Sequence, residues 1–246
     1  MAKDKKVAIF VDSRKESGGE YQHLLYTIEN IKKNNKDGIK FLIVCLSKNL
    51  NLNLNFEKIE VKYFSLNAFQ RYMCYLRNYN SLISRLKKYA FFKNKFEDFL
   101  KKNNVDLVYF LSPSQYSLYL ENTKFLITVP DVDHRKHLEF PEVVDNNEFK
   151  RKDEIFSKSL VKAQAVITNA EIIKKRLIKY YNLSSERVFI ISLRPALSVK
   201  NFSIDKDKNL ILKKKYNLPE NYIYYPAMYL PHKNHRILLD TIKSLK

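Results

Sequence analysis

Residues 7–46 read VAIFVDSRKESGGEYQHLLYTIENIKKNNKDGIKFLIVCL and combine two kinds of apolar pattern. Residues 7–12 and 41–46 are short apolar runs, and the second is nearly continuous, as in strands of a sheet that is covered on both faces. Between the two runs, apolar residues recur at helical spacing: Tyr21, Leu24, Leu25, Ile28 and Ile31. The segment therefore predicts a strand–helix–strand unit, which is typical of α/β proteins with a mainly parallel sheet.

The alternation of strand-like and helix-like segments continues along the chain. Short apolar runs predict further strands at 59–64, 107–111, 125–129, 165–168 and 188–191. Helical spacing predicts helices at 148–163, 171–181, 210–216 and 237–245. Asn169 lies two positions before Glu171, where its side chain could cap the second of these helices. The predicted fold class is α/β, with a Rossmann-like parallel sheet.

The chain divides into two unequal parts. Residues 192–209 lack periodicity and contain Pro195, which predicts a linker. Beyond it, we expect a strand at 222–225, a loop and one helix. Because a lone unit of this kind cannot bury both of its faces, we expect it to begin a truncated second Rossmann-like domain. The predicted domains are residues 1–195 and 196–246.

The chain is strongly basic, with 45 Lys and Arg against 26 Asp and Glu, a net charge of +19 and a pI of about 9.7. A positive field of this size favours polyanionic partners such as nucleic acid, anionic lipid or substrates that carry a diphosphate. The chain is also rich in Lys, Asn and Ile and poor in Gly. An AT-biased coding sequence would produce the same charge without a function.

The apolar and cysteine patterns favour a cytoplasmic protein. The sequence contains no run of about 18 or more apolar residues that would span a bilayer. The apolar run at 7–11 is too short for the core of a signal peptide. Cys45 and Cys74 lack CxxC or metal-ligand spacing and are expected to be reduced structural thiols.

Residues 67–102 interleave aromatic and basic side chains. The aromatic ones are Tyr72, Tyr75, Tyr79, Tyr89, Phe91, Phe92, Phe96 and Phe99. Three interpretations stay open: a helix hairpin whose aromatic residues are core, a face that docks on anionic lipid at the inner side of the cell membrane, and a platform for single-stranded nucleic acid. The sequence lacks an RRM, zinc-finger or KH signature, so nucleic acid is not the expected partner.

Three segments together resemble the GT4 family of glycosyltransferases, which have the GT-B fold. The first is the strand end at 11–12 followed by Ser17-Gly18-Gly19. The second runs from TVPDVDH at 128–134 through FPE at 140–142 to AVITNAE at 165–171. The third, YYPAMYLPHKNH at 224–235, is the most specific of the three. The resemblance covers an N-terminal domain and the first unit of a C-terminal one.

The resemblance implies two Rossmann-like domains that face each other across a cleft. The N-terminal domain would hold a glycan or lipid-linked acceptor, and the C-terminal domain would hold a nucleotide-sugar. Transfer would retain the anomeric configuration and need no metal or other cofactor, within cell-envelope polysaccharide synthesis. The donor site of this family also needs a later acidic pair of the Glu-x7-Glu type, which this sequence does not reach.

Two strand–helix corners hold the candidate substrate-binding residues. Gly18 and Gly19 open a helix directly after a strand, where glycine lets the backbone approach a ligand and the helix N-terminus favours negative charge. A tight turn without a ligand would give the same pattern. Lys233 and Asn234 lie before the last predicted helix, and the resemblance assigns this lysine to the diphosphate. The alternative is a solvated loop lysine.

Residues 130–134, PDVDH, contain the candidate catalytic residues. Asp131 and His134 match the family pattern, and either could position or deprotonate an acceptor hydroxyl. Asp133 is a further candidate for substrate binding. Pro130 replaces the histidine of many relatives and offers no donor or base. Alternatively, Asp131 caps the loop and His134 is a packed residue.

The spacing of Asp131 and Asp133 also matches the Asp-x-Asp signature that holds a metal and a diphosphate in the GT-A fold. The surrounding segments match GT4 instead, so no metal is expected.

The sequence leaves three functions open. The first is a glycosyltransferase, present as a truncated form. The second is a non-catalytic fragment or split half that binds an acceptor, a membrane or a separate C-terminal half. The third is a basic nucleic-acid binder. The motifs favour the first.

Overall fold

A seven-stranded parallel sheet organises the computed structural model, which describes residues 4–12, 19–34, 38–46, 59–80, 93–194 and 206–245. The strands are β1 (Lys5–Val11), β2 (Ile39–Cys45), β3 (Glu60–Tyr63), β4 (Leu107–Phe110), β5 (Lys124–Thr128), β6 (Ala165–Thr168) and β7 (Val188–Ile190). Their order is β3-β2-β1-β4-β5-β6-β7, and each neighbouring pair is parallel. The prediction of an α/β, Rossmann-like sheet is therefore confirmed.

Helices connect the strands as the alternating pattern predicts. They are α1 (Gly19–Asn34), α2 (Ala68–Tyr79), α3 (Lys95–Lys102), α4 (Pro141–Val144), α5 (Glu148–Ser159), α6 (Glu171–Tyr181), α7 (Lys206–Lys215) and α8 (His235–Ser244). Short 3-10 helices lie at Gln115–Tyr119, Asp133–Arg135, Asp145–Asn147, Ser185–Arg187 and Pro231–Lys233. None of the helices in the described ranges has the length and apolar character needed to cross a membrane.

The core lies on both faces of the sheet. Side chains of β1 alternate between the faces: Ala8 and Phe10 belong to one buried cluster, and Ile9 and Val11 to the other. The larger cluster is rich in aromatic rings, and Phe10 lies 5.6 Å from Phe96 between ring centroids. Burial on both faces explains why the strands read as continuous apolar runs.

The two cysteines are free thiols buried in this core. Burial raises the pKa of Cys45 and of Cys74 to about 11 in each case. A thiol with such a pKa stays protonated at neutral pH and is a poor nucleophile. Both residues therefore act as small apolar side chains.

The direction of the strand order reverses between β1 and β4. In open parallel sheets, ligands bind in the crevice outside the carboxyl ends of the strands at such a point. The loops that follow β1, β4 and β5 are therefore the place to look for a site.

The aromatic and basic zone at 67–102 is described except for residues 81–92. Within the described part, Phe96 and Cys74 are buried in the core, and Tyr75 and Tyr79 pack against it. Most of these rings are therefore structural, as the helix-hairpin interpretation predicts. The exposed exceptions are Phe69 and Tyr72, which are discussed below.

Several sequence predictions need correction. The predicted strand at 222–225 is not a strand, because this extended segment pairs with no strand among the described residues. The helix predicted at 148–163 ends at Ser159. Asn169 does not cap α6: the N-cap is Ala170, which makes no side-chain cap bond. The predicted domain boundary at 195/196 lies outside the described residues.

Residues 206–245 bury none of their described side chains. Ile237 and Leu239 of α8 are 57% and 59% exposed, and Leu210 and Ile211 of α7 are 58% and 63% exposed. The apolar faces of α7 and α8 are thus not covered by the part of the chain that the structure describes.

Candidate functional site

A cleft of about 380 Å³ lies at the carboxyl ends of β1, β4 and β5, where the strand order reverses. Its walls include Gly19, Ser112, Pro130, Asp131, Arg151 and Lys152. These residues come from the start of α1, the loops after β4 and β5, and helix α5. Polar groups from four segments therefore converge on one concave space, which is typical of a ligand site.

Asp131 is the acidic residue that the loop after β5 presents to this cleft. Its side chain is exposed, and its Oδ1 accepts a hydrogen bond from the backbone N–H of Asp133 at 3.3 Å. This bond uses one carboxylate oxygen; among the described residues no hydrogen bond to the second oxygen is found, so that it can accept one from a ligand hydroxyl. Asp133 is also exposed but is not among the residues that line the cleft.

His134 lies on the inner side of the same loop. The residue is 2% exposed, its Nε2 is 2.8 Å from the hydroxyl of Tyr181, and its ring packs against Phe156 at 4.8 Å. Its Nδ1 has no hydrogen-bond partner among the described residues. Burial lowers the pKa of His134, so the ring is neutral at neutral pH. The structure separates His134 from the cleft wall, and its catalytic role stays a prediction.

A polar network beneath the loop ties it to α5 and α6. Arg135 donates two hydrogen bonds to Asp153, at 2.6 and 2.7 Å, and the hydroxyl of Tyr181 donates a third at 3.0 Å. Partial burial opposes ionisation, but these hydrogen bonds lower the pKa of Asp153 overall. The network holds the segment that carries Asp131. No local pattern predicts this network, because its members are 18 and 28 positions apart.

The N-terminus of α1 forms another wall of the cleft. Gly19 lines the cleft, and a Cβ atom built on it would meet nothing within 4 Å. No described residue fills the space beside Gly19, and the helix N-terminus carries a partial positive charge. Gly18 lies outside the described residues. Nearby, Ser112 donates a hydrogen bond of 3.4 Å to Asp12, which follows β1.

Two cations of α5 face the same space and were missed by the sequence analysis. Arg151 and Lys152 both line the cleft. Arg151 donates two hydrogen bonds to Glu148, at 2.7 and 2.8 Å. Lys152 forms an ion pair with the same carboxylate, with its Nζ 3.5 Å from Oε1. The hydrogen bond to Glu148 raises the pKa of Arg151. In the sequence, Arg151 and Lys152 look like ordinary basic residues on the exposed side of a helix. The sequence pattern therefore does not mark them as site residues.

The loop that precedes α8 carries Lys233 and Asn234 and lies outside the sheet. Lys233 is exposed at the end of a 3-10 helix. Asn234 has a positive φ of 48° and its side chain accepts a hydrogen bond from the N–H of Ile237 at 3.3 Å. Asn234 is thus a helix cap, and its role in substrate binding stays a prediction.

A direct contact joins this loop to the segment that follows β5. The backbone N–H of His232 donates to Glu142 at 3.2 Å, and the Nδ1 of the same histidine lies 2.5 Å from the same carboxylate oxygen. Glu142 belongs to α4, which follows the Asp131 loop. The contact joins the Lys233 loop to α4, but neither Lys233 nor Asn234 is among the described residues that line the cleft with Gly19 and Asp131.

Among the described residues, no three His, Cys, Asp or Glu side chains cluster in a way that could hold a metal ion. Asp131 and Asp133 are both exposed. The hydrogen bond between them joins the side chain of Asp131 to the backbone N–H of Asp133, and does not bring their two carboxylates together.

Comparison with known proteins adds a fold relationship. No family model matches the chain, and no curated protein matches it. Among solved structures, the chain is similar to a glycosyltransferase from Rickettsia africae ESF-5, with a TM-score of 0.60 and 18% identity over 100% of this chain and 58% of that one. The chain therefore spans somewhat more than half the length of that protein.

Two other solved structures are more distant. Arabidopsis thaliana UGT89C1 complexed with UDP gives a TM-score of 0.49 and 12% identity, over 98% of this chain and 63% of that chain. The wall teichoic acid polymerase TagF gives a TM-score of 0.44 and 10% identity, over 88% of this chain and 45% of that chain. What the Rickettsia comparison shows is the fold: a Rossmann-like parallel sheet of the kind found in GT-B glycosyltransferases.

Proposed function

We propose that the chain is the acceptor-side part of a retaining, GT4-like glycosyltransferase. It would transfer a sugar from a nucleotide-sugar to a glycan or lipid-linked acceptor in cell-envelope polysaccharide synthesis. The observation that carries the proposal is the contact between His232 and Glu142, at 3.2 and 2.5 Å. The contact supports a position of the Lys233 loop beside α4, the helix that follows the Asp131 loop, and we infer that the Lys233 corner and the Gly19 corner face one crevice.

The proposed chemistry divides between these walls. Asp131 accepts a hydrogen bond from the acceptor hydroxyl and takes its proton as the bond between the sugar C1 and the diphosphate oxygen breaks. The acceptor oxygen forms the new bond to C1 on the same face from which the nucleoside diphosphate leaves with the electron pair of the old bond, as retention in one step requires. Lys233 and the N-terminus of α1 stabilise the negative charge of the diphosphate. No resident metal is part of this proposal, so EDTA should leave the activity unchanged.

The direct test is transfer by the purified chain. A panel of UDP-, GDP- and ADP-sugars is incubated with a membrane lipid extract, and release of nucleoside diphosphate is measured. If Lys233 binds the diphosphate, Lys233→Ala should raise the KM for the donor by about 10- to 100-fold, as expected for the loss of a hydrogen bond to a charged group. Lys243→Ala, in the exposed last turn of α8, is the matched control. An equal effect of both substitutions would contradict the assignment.

A second candidate function is a non-catalytic or split half that binds the acceptor and pairs with a separate donor-binding polypeptide. The exposed apolar residues of α7 and α8 favour it, because residues 206–245 bury no described side chain. A thermal shift with nucleotide-sugars separates the candidates. Acceptor binding without any donor shift would support the split half, whereas a strong donor shift would support a complete donor site.

Contact with an anionic membrane is a further part of the proposal. Phe69 and Tyr72 of α2 are 57% and 59% exposed beside the exposed Arg71, on a chain of net charge +19. Aromatic and basic side chains in this arrangement favour the interface of an anionic bilayer. Liposome sedimentation tests it: pelleting should need anionic lipid and weaken in salt. Pelleting that is equal with neutral lipid would argue against the contact.

A further inference from the structure

A second concave space, a groove of about 850 Å³, lies on the α1 side of the sheet. We call it the apolar groove. Its floor is formed by β4, β5 and β6 through Leu107, Tyr109, Leu126 and Ile167, and helix α1 forms a side wall. Among the described residues that line it, Arg194 is the one Lys, Arg, Asp or Glu side chain. A parallel sheet normally buries both faces, and among the described residues nothing covers this apolar floor, which suits it to an apolar occupant.

Polar groups on the floor are few: Tyr109 and Thr128 pair with each other, and the buried hydroxyl of Thr168 has no hydrogen-bond partner among the described residues. The hydroxyls of Tyr109 and Thr128 lie 3.0 Å apart and bond to each other. Burial raises the pKa of Tyr109, so its hydroxyl stays neutral. The centre of the groove is thus suited to hydrocarbon and poorly suited to a charged ligand.

The apolar groove adjoins the polar cleft that contains Asp131. The two spaces share His23, Thr128, Pro130 and Leu193 as lining residues. On one side of this shared wall lie Asp131, Arg151 and Lys152, and on the other side lies the apolar floor. A ligand that fills both spaces must therefore be amphipathic, with its polar end beside Asp131.

We propose that the acceptor is an amphipathic lipid-linked molecule whose hydrocarbon chain lies in the apolar groove and whose anionic linkage lies beside Arg151 and Lys152. The inference rests on the proposed function and narrows its acceptor class from glycan or lipid to lipid. Arg151 and Lys152 supply donors for a phosphate or carboxylate at the junction of chain and sugar. Each methylene that leaves water for the groove should strengthen binding by about fourfold until the groove is full.

The test uses n-alkyl phosphates of increasing chain length, each below its micelle-forming concentration, with binding measured by calorimetry. Affinity should rise by about fourfold for each added methylene and then reach a plateau. Decyl phosphate should bind more tightly than decyl glucoside, because only the phosphate carries charge. Affinity that is independent of chain length would overturn the inference.

Matched variants locate the chain in the groove. Ile167→Lys places a charge on the floor, whereas Ile172→Lys makes the same change at a residue of α6 that is 53% exposed and outside the groove. The first should abolish the chain-length effect and the second should leave it unchanged. Ile167→Lys risks unfolding, so a second variant is needed. Thr27→Trp fills the groove from the wall of α1, and affinity should then stop rising at a shorter chain length. An unchanged series in a folded Thr27→Trp variant would overturn the inference.

Two further outcomes separate this inference from the proposed function. Sugar transfer to short, chain-free acceptors without a chain-length effect would remove the inference and leave the proposed function standing. A chain-length effect without turnover of any nucleotide-sugar would remove the proposed function and leave the binding of an amphipathic ligand in the groove. A dimer in solution that Ile167→Lys dissociates would show that a second copy fills the groove, which also overturns the inference.

Discussion

His232 contacts Glu142 across 90 positions of the chain, with its backbone N–H at 3.2 Å and its Nδ1 at 2.5 Å from one carboxylate oxygen. The contact joins the loop before α8 to the short helix α4. It also brings the ring of Phe140 to 6.0 Å from that of His232. The contact thus fixes the residue next to Lys233 against α4, and no strand of the sheet lies among the described residues 206–245.

Substituting Glu142 should loosen the Lys233 loop. Partial burial opposes ionisation of Glu142, but hydrogen bonds from His232 lower its pKa overall. A carboxylate with a lowered pKa stabilises the contact above its ordinary titration range, and this contribution is lost as the pH falls through the lowered pKa. Glu142→Gln should therefore raise the donor KM severalfold at pH 7 while kcat changes little.

Steady-state kinetics on the variant and on Glu139→Gln checks this prediction. Glu139 is an exposed neighbour whose carboxylate lies 3.1 Å from His137, so the control removes a comparable charge without touching the loop of Lys233. A donor KM that is unchanged in Glu142→Gln would show that the contact does not position Lys233.

Asp131→Asn should reduce kcat without reducing stability. Loss of a general base or its positioning typically costs about 10²- to 10⁴-fold in rate. Because Asp131 is exposed, the free energy of unfolding should change by no more than about 0.5 kcal/mol. Asp133→Asn is the matched control, since Asp133 is exposed two positions away but does not line the cleft. If Asp133→Asn has the larger effect on kcat, the roles of the two acids are reversed.

Much of the sheet could be predicted from local pattern alone. The strand at Ala165–Thr168 and the helix at Glu171–Tyr181 have the bounds that the sequence predicts. Both segments pack on the core. The spacing of their apolar residues therefore follows from the face that each element buries. The prediction of a strand at 222–225 is wrong because this segment does not pack on the core. Its apolar pattern is typical of a strand, but no partner strand is present among the described residues to pair with it.

The site was predictable only in part, because side-chain direction depends on distant packing. Asp131 and His134 look alike as candidates in the sequence, yet one is exposed on the cleft and the other is 2% exposed. The difference comes from Phe156 and Tyr181, which lie more than 20 positions away and surround the histidine ring. Arg151 and Lys152 gave no local signal, because only the fold turns α5 towards the cleft.

Asp153→Asn should destabilise the protein by breaking the network under the Asp131 loop. Asp153 accepts hydrogen bonds from Arg135 and Tyr181, and hydrogen bonds to charged groups typically contribute about 1–3 kcal/mol. Because hydrogen bonding lowers the pKa of Asp153, the contribution is complete above its ordinary pKa of 3.8 and is lost as the pH falls through the lowered value.

Urea unfolding at pH 7 and at low pH measures this effect, with Asp145→Asn as an exposed control on the same segment. The difference between wild type and Asp153→Asn should shrink at low pH. A difference that is the same at both pH values would show that the charge of Asp153 is not what stabilises the loop.

His134→Phe should weaken the pH dependence of stability between pH 7 and pH 5. The folded protein keeps the His134 ring neutral because burial lowers its pKa, whereas the unfolded chain takes up a proton near the ordinary pKa of 6.5. Stability is therefore lost as the pH falls below that value, and phenylalanine removes the proton-binding group. Chemical unfolding of both proteins across this range measures the slope. A wild-type pH slope in the phenylalanine variant would show that His134 does not carry this pH dependence, and a loss of kcat at pH 7 in a variant of unchanged stability would indicate a role on substrate.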